Sequence, residues 1–255
     1  MFPIKDNIPT SRPAVVTIAL IVLNTLAYFL WQKGGILHGP ADKGVVDYGW
    51  IPYEIKHPGQ QCIAQGGGIA CGTGVHGQPS IVVTALTSMF MHGSILHLAG
   101  NMLFLWIFGN NVEDSMGSVK FIVFYLLGGV AALAGQTLVA TGTDAAVPLV
   151  GASGAIAAVL GGYAVLYPRA RVLTVVFIIL FFTIIEIPAL LVLGLWFLEQ
   201  VAFGAFGLTN PTGGGGGVAY FAHVGGFVFG LLLIRAFARR TNPAYVGGGP
   251  RHPVY

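Results

Sequence analysis

Leu149-Val-Gly-Ala-Ser-Gly-Ala-Ile-Ala-Ala-Val-Leu-Gly-Gly-Tyr-Ala-Val-Leu-Tyr167 runs without one charged residue and carries a serine, Ser153, close to its start. A bilayer-crossing helix needs about 20 mostly apolar residues. Read as such a span, this stretch holds a hydroxyl where polar groups are costly and mark function. Composition supports that reading. Hydrophobic residues make up 55% of the 255-residue chain and charged residues only 8%. A soluble globular protein carries about 25% charged residues. With 12 Lys and Arg and 9 Asp and Glu, the chain cannot coat a water-facing surface. This excludes an ordinary cytosolic enzyme and a disordered chain. The net charge of +3 is too small and dispersed for a phosphate-binding face, so nucleic acid is not expected as a partner.

Outward from that stretch, further apolar runs read as spans at residues 14–31, 95–110, 119–140 and 218–237. The apolar region from residue 172 to 206 is broken at Glu186-Ile187-Pro188. Its span is placed after the break, at 187–206. Residues 172–185 then form an interfacial or partly re-entrant segment, and their β-branched and aromatic content suits extended backbone. The prediction is an all-α polytopic membrane protein of six helices.

Loop charge sets the orientation. With the N-terminus inside, the inner segments hold Lys5, Arg12, Lys120, Arg169, Arg171, Arg235, Arg239, Arg240 and Arg251, against Lys33, Lys43 and Lys56 outside. That is the positive-inside bias, with both termini cytoplasmic. Residues 1–13 form an inner terminus, 14–238 the membrane domain, and 239–255 a flexible Gly- and Pro-rich tail. The long outer loop, about 34–79, contains Tyr48, Trp50 and Tyr53, which suit headgroup level. It also holds Cys62 and Cys71. A disulfide is expected there. His57 and His76 flank the pair at equal distances, which leaves a zinc site as the alternative.

Ser153, His97, Asn101 and His223 are polar groups inside spans. The second, fourth and sixth helices all begin at the outer face, so at 1.5 Å per residue these side chains share a layer roughly 5–10 Å below it. Ser153, Ala157 and Gly161 lie on one helical face; so do His223, Gly226 and Gly230. Faces of small residues let membrane helices approach closely. If these two pack together, a nucleophile meets a general base. His97 and Asn101 are i, i+4 neighbours able to donate to an oxyanion, with the Ser153 backbone N–H. Each group alone has a plainer reading. A serine in a membrane helix bonds the carbonyl four residues earlier, and histidines and asparagines join helices.

His92-Gly-Ser-Ile-Leu-His97-Leu-Ala-Gly-Asn101 resembles the HxxxxHxxxN signature of rhomboid intramembrane serine proteases. Gly151-Ala-Ser153-Gly154 is similar to their GxSG motif, and Ala222-His223-Val-Gly-Gly226-Phe-Val-Phe-Gly230 to their AHxxGxxxG helix. The resemblance implies a six-helix rhomboid-like bundle and a Ser153–His223 dyad without a carboxylate. His97, Asn101 and the Ser153 N–H would form the oxyanion site. His92, Gly151, Gly154, Gly226 and Gly230 would have supporting roles. Glu113 would be structural, closing the inner loop at a helix end. One position departs from the pattern: Ala157 stands where many members place an aromatic residue that stacks on the histidine, so either the histidine is less tightly held or another aromatic, such as Phe104, Trp196 or Phe197, substitutes.

The activity implied is endopeptidase cleavage of single-span or other transmembrane proteins near the outer face, in the lipid bilayer, with no cofactor and no metal. Residues 209–217, ending in five glycines, read as a cap over the site or as a passive linker, and the resemblance implies that the fifth helix, which carries Glu199, is a lateral gate. A prokaryotic cell membrane is the expected location. Two other classes were weighed: a catalytically silent rhomboid-like protein that binds membrane clients, and a small transporter. The first should lack Ser153 or His223; the second should show paired halves and midplane charges.

Overall fold

The computed structural model describes residues 2–75, 77–178, 181–209 and 218–239. Helix α1 (Val15–Leu26) continues through a π turn to Trp31. After it follow α2 (Asp42–Tyr48), α3 (Pro52–Lys56) and α4 (Ile81–Ser88). Helix α5 (Ile95–Phe104) runs through a second π turn into α6 (Asn110–Met116), making one continuous rod. The remaining helices are α7 (Ser118–Val139), α8 (Ser153–Leu166), α9 (Ala189–Thr209) and α10 (Tyr220–Phe237). Among the described residues, four stretches are long and apolar enough to cross a membrane: Ile95–Met116, Ser118–Val139, Ala189–Leu208 and Tyr220–Phe237. Val15–Trp31 and Ser153–Leu166 are apolar but shorter.

Helix α8 is the centre of the molecule. Every residue from Gly154 to Ala164 is buried, as a helix that is apolar all round must be. It packs on α7 and α10, and its small residues set how closely. A side chain added at Gly161 would meet the Phe227 carbonyl of α10. One at Gly226 would meet the Gly154 carbonyl, and one at Gly230 the Ala158 carbonyl. The two small faces therefore do face each other. Helix α8 starts at Ser153, four residues later than the apolar run. Leu149 is held extended by pairing with Trp50, and Gly151 has φ +134°, which only glycine adopts without strain.

Strands modify the all-α expectation. β1 (Phe2–Asp6) lies in the N-terminal segment, and β2 (Gln61–Gln65) and β3 (Gly68–Gly72) form a hairpin in the connection between α1 and α5. β4 (Arg171–Ile178) and β5 (Phe181–Pro188) pair antiparallel, and β1 adds to β4 to give the order β1-β4-β5. The segment expected to be extended is therefore a hairpin. Its β-branched and aromatic residues suit a pleated surface, and α9 begins immediately after Pro188.

Cys62 and Cys71 sit opposite each other in the β2–β3 hairpin and form a disulfide. Both sulfurs are thereby consumed, His57 stacks on Tyr53, and His76 lies outside the described residues. The Trp50 indole N–H donates to Thr137 Oγ1 at 2.9 Å, and its backbone pairs with Leu149, fastening the α1–α5 connection over α7 and the approach to α8.

Glu113 bridges the α6–α7 turn through Ser118 and serves a second helix as well. Helix α1 has no capping side chain of its own. Glu113 Oε1 accepts from Val16 N and Ser118 Oγ, and Oε2 from Thr17 N and Oγ1, all within 2.7–2.9 Å. A carboxylate from α6 thus caps α1, satisfying N–H groups that the helix leaves open. The expected cap lies, from residue 210 onward, outside the described residues, as does the tail from residue 240.

Candidate active site

Ser153 is the first residue of α8 and His223 lies in the first turn of α10. The close α8–α10 approach brings Ser153 Oγ within 2.8 Å of His223 Nε2. The backbone ahead of the serine is fixed from several sides. Gly151 N donates to Ser88 O at 2.8 Å. A Cβ on Gly151 would strike the His97 imidazole, so position 151 requires glycine for space as well as for φ. The first N–H groups of α8 are free of intrahelical partners by helix geometry and begin at Ser153.

His97 lies in the first turn of α5, where Ser94 Oγ caps the helix by accepting from His97 N at 3.2 Å. Its ring abuts Gly151, next to the serine. Asn101, one turn further along, is buried, and its Nδ2 has no hydrogen-bond partner. An unsatisfied buried donor is costly, and a developing oxyanion is one group that would satisfy it. His92 is fully buried; its ring packs edge-on against His97 with centroids 5.1 Å apart. The Gln32 amide clamps the His92 backbone, accepting from its N and donating to its O. Sequence reading missed Gln32, which acts across 60 residues.

The aromatic missing at Ala157 comes from α9. Ala157 is fully buried, with its Cβ close to Gly226, so a ring there would separate α8 from α10. Trp196 instead lies over His223, with centroids 5.7 Å apart and planes 34° apart. Phe197 stacks on Phe227, and Phe104 pairs with Phe108. Gln200, one turn after Trp196, places Oε1 2.7 Å from His223 Nδ1. No motif in the sequence pointed to it; the available signal was its i, i+4 spacing from Trp196. Glu199 is exposed on the surface of the same helix. Among the described residues, no cluster of His, Cys, Asp or Glu could hold a metal ion. A cavity of about 30 Å³ opens beside Ser153, lined in part by Ser88, Met89, Gly154 and Ala222. That is room for one water.

Known proteins are similar to this chain in sequence. The chain is 32% identical over 161 residues to "Rhomboid protein 1, mitochondrial" of Saccharomyces cerevisiae, covering 59% of this chain and 40% of that protein. It is 34% identical over 96 residues to "Presenilin-associated rhomboid-like protein, mitochondrial" of Bos taurus, covering 38% and 25%. "RHOMBOID-like protein 4" of Arabidopsis thaliana is 32% identical over 160 residues, covering 63% and 34%. The chain thus spans less than half the length of these relatives. Their names overturn the expected prokaryotic cell membrane, since the yeast and bovine relatives are both mitochondrial. Loop charge reports which side of a membrane a segment faces, not which membrane it is. A Rhomboid domain model matches residues 79–240, which hold Ser153, His223, His97 and Asn101, and the chain belongs to the rhomboid family of integral membrane proteins.

Proposed function

We propose that this chain is an intramembrane serine endopeptidase that cleaves transmembrane proteins near the outer face of the bilayer with a Ser153–His223 dyad. The observation that carries the reading is the 2.8 Å contact between Ser153 Oγ and His223 Nε2 at the N-terminus of a buried helix. In the membrane the bundle has six spans, with both termini inside. The two shorter apolar helices, Val15–Trp31 and Ser153–Leu166, serve as the first and fourth.

In the proposed reaction Ser153 Oγ attacks the scissile carbonyl carbon while its proton passes to His223 Nε2. The carbonyl oxygen becomes an oxyanion and takes hydrogen bonds from the Ser153 N–H, His97 and Asn101. Collapse breaks the C–N bond, and His223 returns its proton to the leaving amine. Water, for which the cavity beside Ser153 has room, is then deprotonated by His223 and attacks the acyl-serine. Its hydroxide releases the acid, and Ser153 recovers its proton. The intact polar constellation favours this reading over a silent client-binding protein.

The test uses the full chain in liposomes with a panel of single-span substrates. Ser153→Ala and His223→Ala should each abolish cleavage without lowering the melting temperature by more than a few degrees. Wild-type cleavage rates in either variant would sink the dyad.

A further inference from the structure

We infer that Gln200 is a positioning residue for His223: by accepting the Nδ1 proton it orients the ring so that Nε2 faces Ser153 as the free base. The inference rests on the proposed serine chemistry and adds to it a group from α9 that no sequence motif supplied.

The argument begins with proton bookkeeping. A neutral imidazole carries one proton. If Nε2 accepts from Ser153 Oγ, that proton sits on Nδ1 and needs an acceptor. Gln200 Oε1, 2.7 Å away, supplies it. The same oxygen still accepts from Nδ1 when the ring has taken the serine proton and become an imidazolium. Gln200 therefore serves both protonation states without moving.

Fixation is twofold. Trp196 covers one face of the ring and Gln200 holds its edge. The two are i, i+4 and share one face of α9, so one helix sets both the tilt and the rotation of His223. Gln200 itself is buried, so water does not compete for its amide. An amide suits this depth better than a carboxylate. A buried carboxylate carries a heavy desolvation cost, whereas a neutral oxygen selects the same tautomer without a net charge. It follows that displacement of α9 removes both constraints at once and leaves His223 free to rotate away from Ser153.

The experiment compares wild type, Gln200→Leu and Gln200→Glu as full chains in liposomes. Cleavage of a single-span substrate and labelling by a fluorophosphonate probe are followed against pH. Leucine keeps the bulk and loses the acceptor; glutamate keeps an acceptor. We expect Gln200→Leu to lower kcat about 10- to 100-fold with KM within about twofold, the size of a positioning loss. Probe labelling should slow in parallel. Gln200→Glu should recover most of the loss. The acid limb of the kcat profile should move to lower pH in the leucine variant and to higher pH in the glutamate variant, because the acceptor stabilises the imidazolium. His97 is the ionisable group that interacts with His223 from α5, and Ser153 faces it from α8; both are common to all three proteins, so the displacement reports residue 200. Gln200→Leu activity within twofold of wild type overturns the inference. So does equal impairment of both variants with an unmoved acid limb, which would mean residue 200 only fills space. If the leucine variant does not fold, an unmoved limb in Gln200→Glu is sufficient to overturn it. A wild type that neither cleaves nor takes the probe overturns the serine-protease reading together with this one.

Discussion

Asp6 shows how one buried side chain makes this fold depend on pH. It lies at the end of β1, and its Oδ2 accepts from Tyr163 OH and Asn111 Nδ2, both at 2.6 Å. Burial raises its pKa from 3.8 to about 7, although the Tyr163 hydrogen bond opposes the shift. The sign follows. Between these two values the folded state holds a proton that the unfolded state has lost, so stability is complete below about pH 4 and falls as pH rises towards 7. The slope should be on the order of 1 kcal/mol per pH unit. Melting in detergent between pH 4.5 and 7.5 should show that decline, and Asp6→Asn should flatten it. An unchanged slope in the variant would assign the pH dependence to other groups.

At the scale of elements, the decisive contact is α8 against α10. One methyl group is enough to test it, because a Cβ at Gly161 would run into the backbone carbonyl of Phe227 and the nitrogen of Leu231. Backbone cannot rotate aside as a side chain can. Overpacking of this kind typically costs about 1–3 kcal/mol, and a displacement of about 1 Å between catalytic groups costs about 100-fold in rate. Gly161→Ala should therefore lose more turnover than thermal stability, and Gly226→Leu more still. Gly194→Ala on α9 is the matched control: nothing lies within 4 Å of a Cβ there, and alanine favours a helix over glycine. Full activity in Gly161→Ala would show that the two faces separate without consequence for the dyad. The faces were legible from spacing alone. Trp196 was one of three aromatics the sequence offered in place of the absent ring, and spacing could not choose among them because it reaches His223 from a third helix.

For the molecule as a whole, the connection between α1 and α5 is a clamp on the layer that holds Ser153 and His223. The disulfide closes the β2–β3 hairpin, Cys62 is fully buried in a small cluster with Val46 and Ile51, and Trp50 connects this unit to Leu149 and Thr137. Closing so short a loop contributes about 2–3 kcal/mol, held locally. Mass spectrometry without reductant should find the Cys62–Cys71 peptide pair; two free thiols would refute it. With the bond reduced, hydrogen exchange should rise across residues 61–72 while the α7, α8 and α10 amides stay protected. Uniform loss of protection would mean that the loop and the bundle unfold as one unit.

Composition and periodicity by themselves determined that this is a polytopic membrane protein, where most of its helices lie, and which small and polar residues share a helical face. They could do so because a bilayer imposes length and apolarity on each span separately, and because helical spacing places residues on faces. The disulfide was legible too, from two cysteines on one segment expected to lie outside. Only the tertiary structure decided which groups satisfy one another across the chain. Glu113 caps a helix almost a hundred residues earlier, Asp6 bonds Tyr163, Gln32 holds the His92 backbone, and Gln200 meets His223. The strand order β1-β4-β5 belongs to the same class, since β1 pairs with a partner far along the chain. None of these pairs leaves a periodic trace. A buried polar group needs a partner, but its own sequence neighbourhood does not say which one; that is settled by how the helices pack.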